Sequence, residues 1–409
     1  MIHNRIVARV RGRSLAVIGG LALGALALGQ PAWAEPKGEP IKVGSTLPLT
    51  GPLAATGLIH KIAGEIFVEE INKKNGMLGR PVQWILLDDQ SKPDLARTLY
   101  EKLITIDKVD LVLGPYATGA ILSAMAVAER HNRVLVHHTF GIPKLAKYAN
   151  QFPTWPSGPV PEETTPAMLY DALASTGKQI KTVAFVTSKF PSVHFMSLGA
   201  REVAKKRGMT EALYLEFEFG TKDFGALAAR VREANADLLW IGSVGVEGNL
   251  LLDALKKLGH SPKNHFHLYP APGPLALSPD GKNALSVAIF EGQKPFTDDP
   301  ATAAFVAAYL ERAKKAGLPY TEADTQAGVS YGAWQIIATA VEATKSTDDK
   351  KIADWLRANT VTTIVGKLRF NAANNYGDDL GKIKQVQNGK WVVVWPKQFV
   401  QPGVNVIVQ

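Results

Sequence analysis

The sequence predicts an α/β fold made of two similar lobes, each a parallel sheet covered by helices. Three observations predict it. Short apolar runs that end at Gly, Pro or Asp alternate with stretches whose apolar residues recur at helical spacing, which is the pattern of right-handed βαβ units. This alternation runs twice, over residues 41–136 and 182–269, with a proline-rich passage at 143–161 between the runs. At 409 residues the chain is also long for one domain and comfortable for two.

The elements follow in order. Residues 41–47 read as a strand broken by Pro48, Gly51 and Pro52. Ile59, Ile62, Ala63, Ile66, Phe67 and Ile71 then mark a helix that stops at Asn75-Gly76. A strand at 82–87 and a helix at 93–107 come next. Leu111-Val112-Leu113 reads as a buried parallel strand ended by Gly114-Pro115, and Thr118 stands at the N-cap position of a helix through Ile121, Leu122, Met125 and Ala128. A strand at 133–136 closes the first run, and the passage at 143–161 is read as loop crossing between lobes. The second run gives strands at 182–186, 213–219, 237–241 and 265–269, with helices at 192–206, 224–234 and 247–258 between them. From Val287 the chain resumes with helices at 302–316 and 323–344. Segments at 365–370 and 384–395 form the tail, with a hairpin turn at Gln387-Asn388-Gly389.

The two ends and the composition narrow the function. Arg5, Arg9, Arg11 and Arg13, an apolar run over 15–28 and Ala32-Trp33-Ala34 spell a secretory signal peptide, residues 1–34, cleaved after Ala34. The apolar run is shorter than the ~20 residues that span a bilayer. Cysteine is absent, so no lipid-anchoring Cys stands at the cleavage point, and a protein released into the periplasm by the general secretory route is expected. The formal charge is +9, and the four arginines of the leader account for four of it, leaving +5. Basic residues are spread along the chain without interleaved aromatics, which gives no nucleic-acid footprint. No Gly-x4-Gly-Lys-Ser/Thr loop, His-Glu-x-x-His motif or thiol is present, so no enzyme, no metal and no cofactor is expected.

The turn at Thr118 is where the chemistry points. The first N–H groups of a helix have no helical partner, and they face the crevice beyond the carboxyl end of the strand with the positive end of the helix dipole. The hydroxyl of Thr118 either caps the helix or donates to an anion held there.

Several motifs together resemble the branched-chain amino-acid (Leu/Ile/Val) binding proteins of ABC transporters. They are Gly44-Ser45-Thr46-Leu47-Pro48-Leu49-Thr50-Gly51-Pro52, Asn72-Lys73-Lys74-Asn75-Gly76, residues 114–123, Thr221-Lys222-Asp223-Phe224 with Ala236-Asp237, and Tyr331-Gly332-Ala333. The resemblance implies a type I periplasmic binding fold, two Rossmann-like lobes joined by three hinge crossings with a ligand closed between them. Lobe 1 then covers 41–157 and 287–375, and lobe 2 covers 158–286 and 376–409. It also implies a monomeric solute-binding subunit of an ABC importer, with a small carboxylate ligand and an inner-membrane permease as partners. A ligand-sensing subunit for a receptor kinase would use the same clamshell.

Residue by residue, the resemblance places the ligand carboxylate on Thr118 and Ala117, with further contacts near Thr139, Phe140 and Gly141. The family's hydroxyl-bearing residue in that loop matches Gly141, so only its backbone is available. The position of the covering aromatic matches Thr56, and a lobe 2 aromatic matches Phe190. One departure stands out. Where the amino-acid binders carry an acid for the α-ammonium, this chain reads Tyr269-Pro270-Ala271. Glu247 either replaces that acid or simply partners its helix dipole. His137, His138 and His194 are candidate donors near the cleft, and Tyr116, Phe140, Phe190, Tyr269 and Trp155 are candidate apolar walls. This constellation favours an aromatic or 2-oxo carboxylate, with branched-chain or other apolar amino acids as the alternative.

Overall fold

A computed structural model describes residues 35–409, and the expected leader with its cleavage site after Ala34 lies outside the described residues. The first run comprises β1 (Ile41–Leu47), α1 (Ala54–Lys73), β2 (Val82–Asp88), α2 (Pro93–Thr105), β3 (Leu111–Leu113), α3 (Thr118–Arg130), β4 (Leu135–His137) and β5 (Gln151–Pro153). Its strands form one sheet in the order β2-β1-β3-β4-β5, parallel throughout. β5 lies inside the passage read as loop. It is only three residues long and ends in Pro153, which is tolerated because β5 is an edge strand.

The second run comprises α4 (Pro161–Ala174), β6 (Thr182–Ser188), α5 (Pro191–Lys206), β7 (Thr210–Phe217), α6 (Gly225–Ala234), β8 (Leu238–Gly245), α7 (Glu247–Lys257), β9 (His265–Pro270), α8 (Pro272–Leu277) and β10 (Leu285–Ala288). After it come α9 (Pro300–Lys315), α10 (Thr325–Thr344), α11 (Asp349–Ala358), the small hairpin β11 (Val361–Thr363) and β12 (Gly366–Leu368), and the hairpin β13 (Lys382–Gln387) and β14 (Lys390–Trp395). The second sheet has the order β14-β13-β10-β9-β8-β6-β7, with β13 and β14 antiparallel at one edge. The expected return at Val287 falls inside β10, which pairs with both β9 and β13, so the chain leaves this sheet only after Ala288. α9 and α10 then pack on α1, beside the first sheet, before the chain comes back to β13. The chain therefore crosses between the sheets after β5, after β10 and after β12.

α4 was hidden in the sequence by Pro166 in its interior, although Pro161 at its first position with Glu162 and Glu163 in the first turn is a helix start. α10 is buried on nearly every side, which explains its apolar length. Among the described residues no helix is long and apolar enough to cross a membrane.

The packing that positions the crevice sits at the carboxyl ends of β3 and β4. The Tyr100 hydroxyl donates to the Leu113 carbonyl and pins the end of β3 to α2. A Cβ on Gly114 would stand 2.4 Å from the Cβ of His137, so only glycine lets the two strand ends lie this close. His137 itself is buried, its Nε2 2.6 Å from the Gln151 amide oxygen on β5. It therefore braces the sheet and is not among the residues that line the cleft.

His137 belongs to a set of fully buried histidines. Burial lowers His60 to about 3 and His137 and His265 to about 4, and holds His138 and His267 well below the ordinary imidazole value. Buried carboxyls oppose them: burial pushes Asp89 up to about 6 and Glu291 to about 7, and also raises Glu247, Asp324, Asp349 and Asp379. Each histidine is neutral when folded and takes up a proton below about 6.5 when unfolded. Their stabilisation is thus complete above that pH and is lost as pH falls. The carboxyls act in the opposite sense, because they are protonated more readily when folded.

Two outcomes are expected. Because the five imidazoles take up protons in the unfolded chain faster than the carboxyls do in the folded one, denaturant unfolding should show stability falling by roughly 2–3 kcal/mol per pH unit near pH 6; a flat profile from pH 7 to 5.5 would contradict neutral buried imidazoles. Gly114→Ala should cost about 1–3 kcal/mol in the same assay by forcing β3 from β4.

Candidate functional site

The carboxyl ends of both sheets face one cleft of about 350 Å3, its open mouth included, the usual place for a ligand in open α/β sheets. From the first lobe come Tyr116, Ala117 and Thr118 after β3, Thr139 and Gly141 after β4, and Gln326 at the start of α10. Trp155 enters from the first crossing. The second lobe supplies Phe190 and Ser192 around the start of α5, Val244 near the end of β8, and Tyr269 on β9.

The turn into α3 is strained. Ala117 has φ 76° and ψ 143°, a sparsely populated region for any residue with a side chain. It is the cap residue, so Thr118 is the first helical residue and not the N-cap that its hydroxyl suggested. Among the described residues no side-chain cap is found at this terminus, its cap residue being an alanine. The first-turn N–H groups and the Thr118 hydroxyl therefore remain for whatever enters the cleft. The Ala117 N–H donates to the Thr139 hydroxyl at 3.3 Å, tying the two loops of the first lobe together.

Among the described residues no acidic or basic side chain lines the cleft. Its ionisable groups are phenols, and burial pushes Tyr116 up to about 12 and Tyr269 higher still, so both stay neutral. Trp155 stands edge-on to Tyr269 with centroids 5.7 Å apart, and Phe190 packs on Phe219 at 5.0 Å. A Cβ on Gly141 would lie 3.1 Å from the Ser192 Cβ and 3.3 Å from the Tyr269 hydroxyl. The missing side chain at Gly141 is what lets the second lobe close against the first here.

The other expected site residues lie elsewhere. Thr56 is buried and lines a neighbouring apolar cavity of about 580 Å3. Ala271, where a countercharge was sought, faces that same cavity, so on this stretch it is Tyr269 that meets the ligand space. Phe140 is fully buried in the core beside α2 and α3, and its carbonyl accepts from the Tyr376 hydroxyl at 3.2 Å. His138 is buried and stacks on His60 at 4.3 Å, behind the lining. His194 turns outward to Glu216, 2.8 Å away. Glu247 accepts from the N–H of Gly220 at 2.9 Å and of Val244 at 3.4 Å, so its carboxylate braces the turn after β8 and does not enter the cleft.

Ser192, Val244 and Gln326 were missed. The strand ending at 241 was read too short, because a bulge between Ile241 and Val244 carries β8 on to Gly245. Gln326 follows Asp324, whose carboxylate accepts from the N–H of Gln326 at 3.1 Å and of Ala327 at 3.2 Å, an N-cap that the sequence displays. The same helix holds the one Gly-x-Ser-x-Gly spelling in the chain, Gly328 to Gly332. It lies in the middle of α10 rather than at a strand-to-helix turn, and the Ser330 hydroxyl donates to the His60 carbonyl at 3.2 Å, so it is no nucleophile elbow. Among the described residues no cluster of His, Asp or Glu could hold a metal ion.

Comparison with known proteins places this geometry. The periplasmic binding protein family model matches residues 40–390. A leucine-, isoleucine-, valine-, threonine- and alanine-binding protein of Pseudomonas aeruginosa is 24% identical over 345 residues, covering 81% of this chain and 86% of its own. A solute-binding protein of an ABC transporter from R. palustris, solved in complex with benzoate, superposes with a TM-score of 0.73 at 19% identity, covering 90% of this chain and all (100%) of that one. The branched-chain amino acid transporter substrate-binding protein of Streptococcus pneumoniae, solved with isoleucine, gives a TM-score of 0.71 at 19% identity over 88% of this chain and 100% of its own. The family is one of non-enzymatic transport proteins that work in the periplasm with an ABC permease. The chain has the type I periplasmic binding fold and belongs to the periplasmic binding protein family, as a solute-binding protein of an ABC transporter.

Proposed function

We propose that the cleft captures an aromatic or 2-oxo carboxylate and delivers it to the permease. The observation that carries this reading is the make-up of the lining: an uncapped helix N-terminus with a free hydroxyl, aromatic walls, and no carboxylate. An amino acid would bring its ammonium into this space without a countercharge, at a cost of several kcal/mol and a factor of thousands in affinity. A ligand with a carboxylate alone needs only donors, and the start of α3 supplies them. The R. palustris structure with benzoate supports the reading by analogy of fold. Amino acids remain the alternative that the P. aeruginosa relative's name supports. On the proposed reading that chemistry was given up when Tyr269 took its place in the lining and Glu247 turned to the backbone.

In this mechanism the ligand carboxylate docks on the first-turn N–H groups of α3 and the Thr118 hydroxyl. Trp155, Phe190 and Tyr269 then close on the apolar body. Contacts from both lobes exist only in the closed state, so ligand shifts the population toward it, and the permease reads the closed surface.

A thermal-shift screen of ligand-stripped protein against benzoates, phenylpropanoids and 2-oxo acids, with leucine and isoleucine beside them, tests the ligand class. Stabilisation by the amino acids alone would overturn it. Thr118→Val should weaken binding of the best carboxylate by about 1.5–3 kcal/mol, roughly 10- to 150-fold by calorimetry. Unchanged affinity would place the carboxylate elsewhere.

A further inference from the structure

Gln326 is the lining residue that the carboxylate reading does not use. It is 8% exposed, it sits in the first turn of α10, and its amide oxygen lies 3.1 Å from Nε2 of His60. His60 is fully buried on α1, with its ring stacked on His138 at 4.3 Å and tilted against Tyr116 at 5.0 Å. Burial brings it to about 3, so the ring is neutral and carries a single N–H. An amide oxygen can only accept, so that N–H is on Nε2 and donates to Gln326. The Nδ1 atom correspondingly has no partner among the described residues. The stack between His138 and Tyr116 holds the ring in place, and the ring holds the amide oxygen. What remains for the cleft is the NH2 group of Gln326, for which no protein acceptor is found among the described residues.

An amide NH2 in a space without acids needs an oxygen acceptor from the ligand. We infer that Gln326, oriented by His60, reads a neutral oxygen substituent, and that the ligand is a hydroxy-, alkoxy- or oxo-substituted carboxylate rather than a bare hydrocarbon acid. This rests on the carboxylate reading above and deepens it. Gln326 is the specificity-determining residue and His60 is the positioning residue. A ligand lacking the oxygen leaves the NH2 group dry and unpaired, which is the strongest way a pocket rejects an analogue.

The test is calorimetric titration of ligand-stripped wild type, Gln326→Leu and His60→Phe with benzoate, 3-hydroxybenzoate and 4-hydroxybenzoate, with thermal melts to confirm folding. Wild type should prefer one hydroxybenzoate over benzoate by about tenfold or more. Gln326→Leu should lose that preference while its benzoate affinity holds or improves. His60→Phe keeps the ring stack but frees the amide, and should lower the preference with benzoate unchanged, a split that a merely structural role would not produce. Nitrogen NMR shifts of His60 should show a neutral ring protonated at Nε2 from pH 5 to 8. Equal loss for all three ligands in Gln326→Leu, an intact preference, or the Nδ1-protonated ring would overturn the inference and leave the carboxylate reading standing. If wild type binds none of the three benzoates but binds leucine, the carboxylate reading fails and this inference fails with it.

Discussion

The turn from β3 into α3 holds Ala117 in a backbone conformation that costs on the order of 1–3 kcal/mol, and much of the cleft depends on that strain being sustained. It is over-determined from several sides. Gly114 lets β3 lie against β4, the Tyr100 hydroxyl fixes the Leu113 carbonyl, and Thr139 takes the Ala117 N–H. The result is a helix that begins at Thr118 with no side chain folded back over its first turn. A capped terminus would have spent those donors internally. An uncapped one is a fixed, preorganised set of N–H groups that costs no rearrangement when an anion arrives.

Around that terminus the chain excludes charge of either sign. The acids nearest in sequence to the cleft are engaged with backbone, Glu247 with Gly220 and Val244, Asp324 with Gln326 and Ala327. The histidines behind the lining are kept neutral by burial. In such a space a ligand charge is met only by oriented dipoles, so selection rests on which charge the dipoles favour and which neutral groups find partners. This is why Tyr269 and Gly141 matter together. The absence of a side chain at Gly141 leaves room for the Tyr269 hydroxyl and the Ser192 side chain to approach, and the lobes meet across a neutral contact.

How much was legible follows the reach of each signal. Ala117 and Thr139 came only from the family resemblance and Thr118 was read as the cap rather than the first helical residue, whereas the strands β1 to β4 and the turn from β3 into the helix of Thr118 are encoded locally and could be read directly. β5, α4 and α8 were not, because Pro153, Pro166 and Pro272 are breakers in isolation and only the sheet edge or the neighbouring lobe makes them acceptable. Position along the chain also misled where direction mattered. Glu247 and His194 do begin helices at strand ends, but their side chains find backbone N–H groups and Glu216 before they find the cleft. Gln326 was invisible as a site residue for the opposite reason. Its place is set by a contact with His60, which is 266 residues away in the chain.

On the proposed reading the cleft accepts a carboxylate and has no place for an ammonium. The most direct measurement is calorimetry of ligand-stripped protein with a pair of ligands sharing one skeleton, 3-phenylpropionate and phenylalanine. They differ by the ammonium group alone. The neutral lining predicts that phenylpropionate binds tighter by roughly a thousandfold, the worth of several kcal/mol for an unpaired charge. Equal binding, or tighter binding of phenylalanine, would contradict it and mean that an acid reaches the cleft when the ligand is bound.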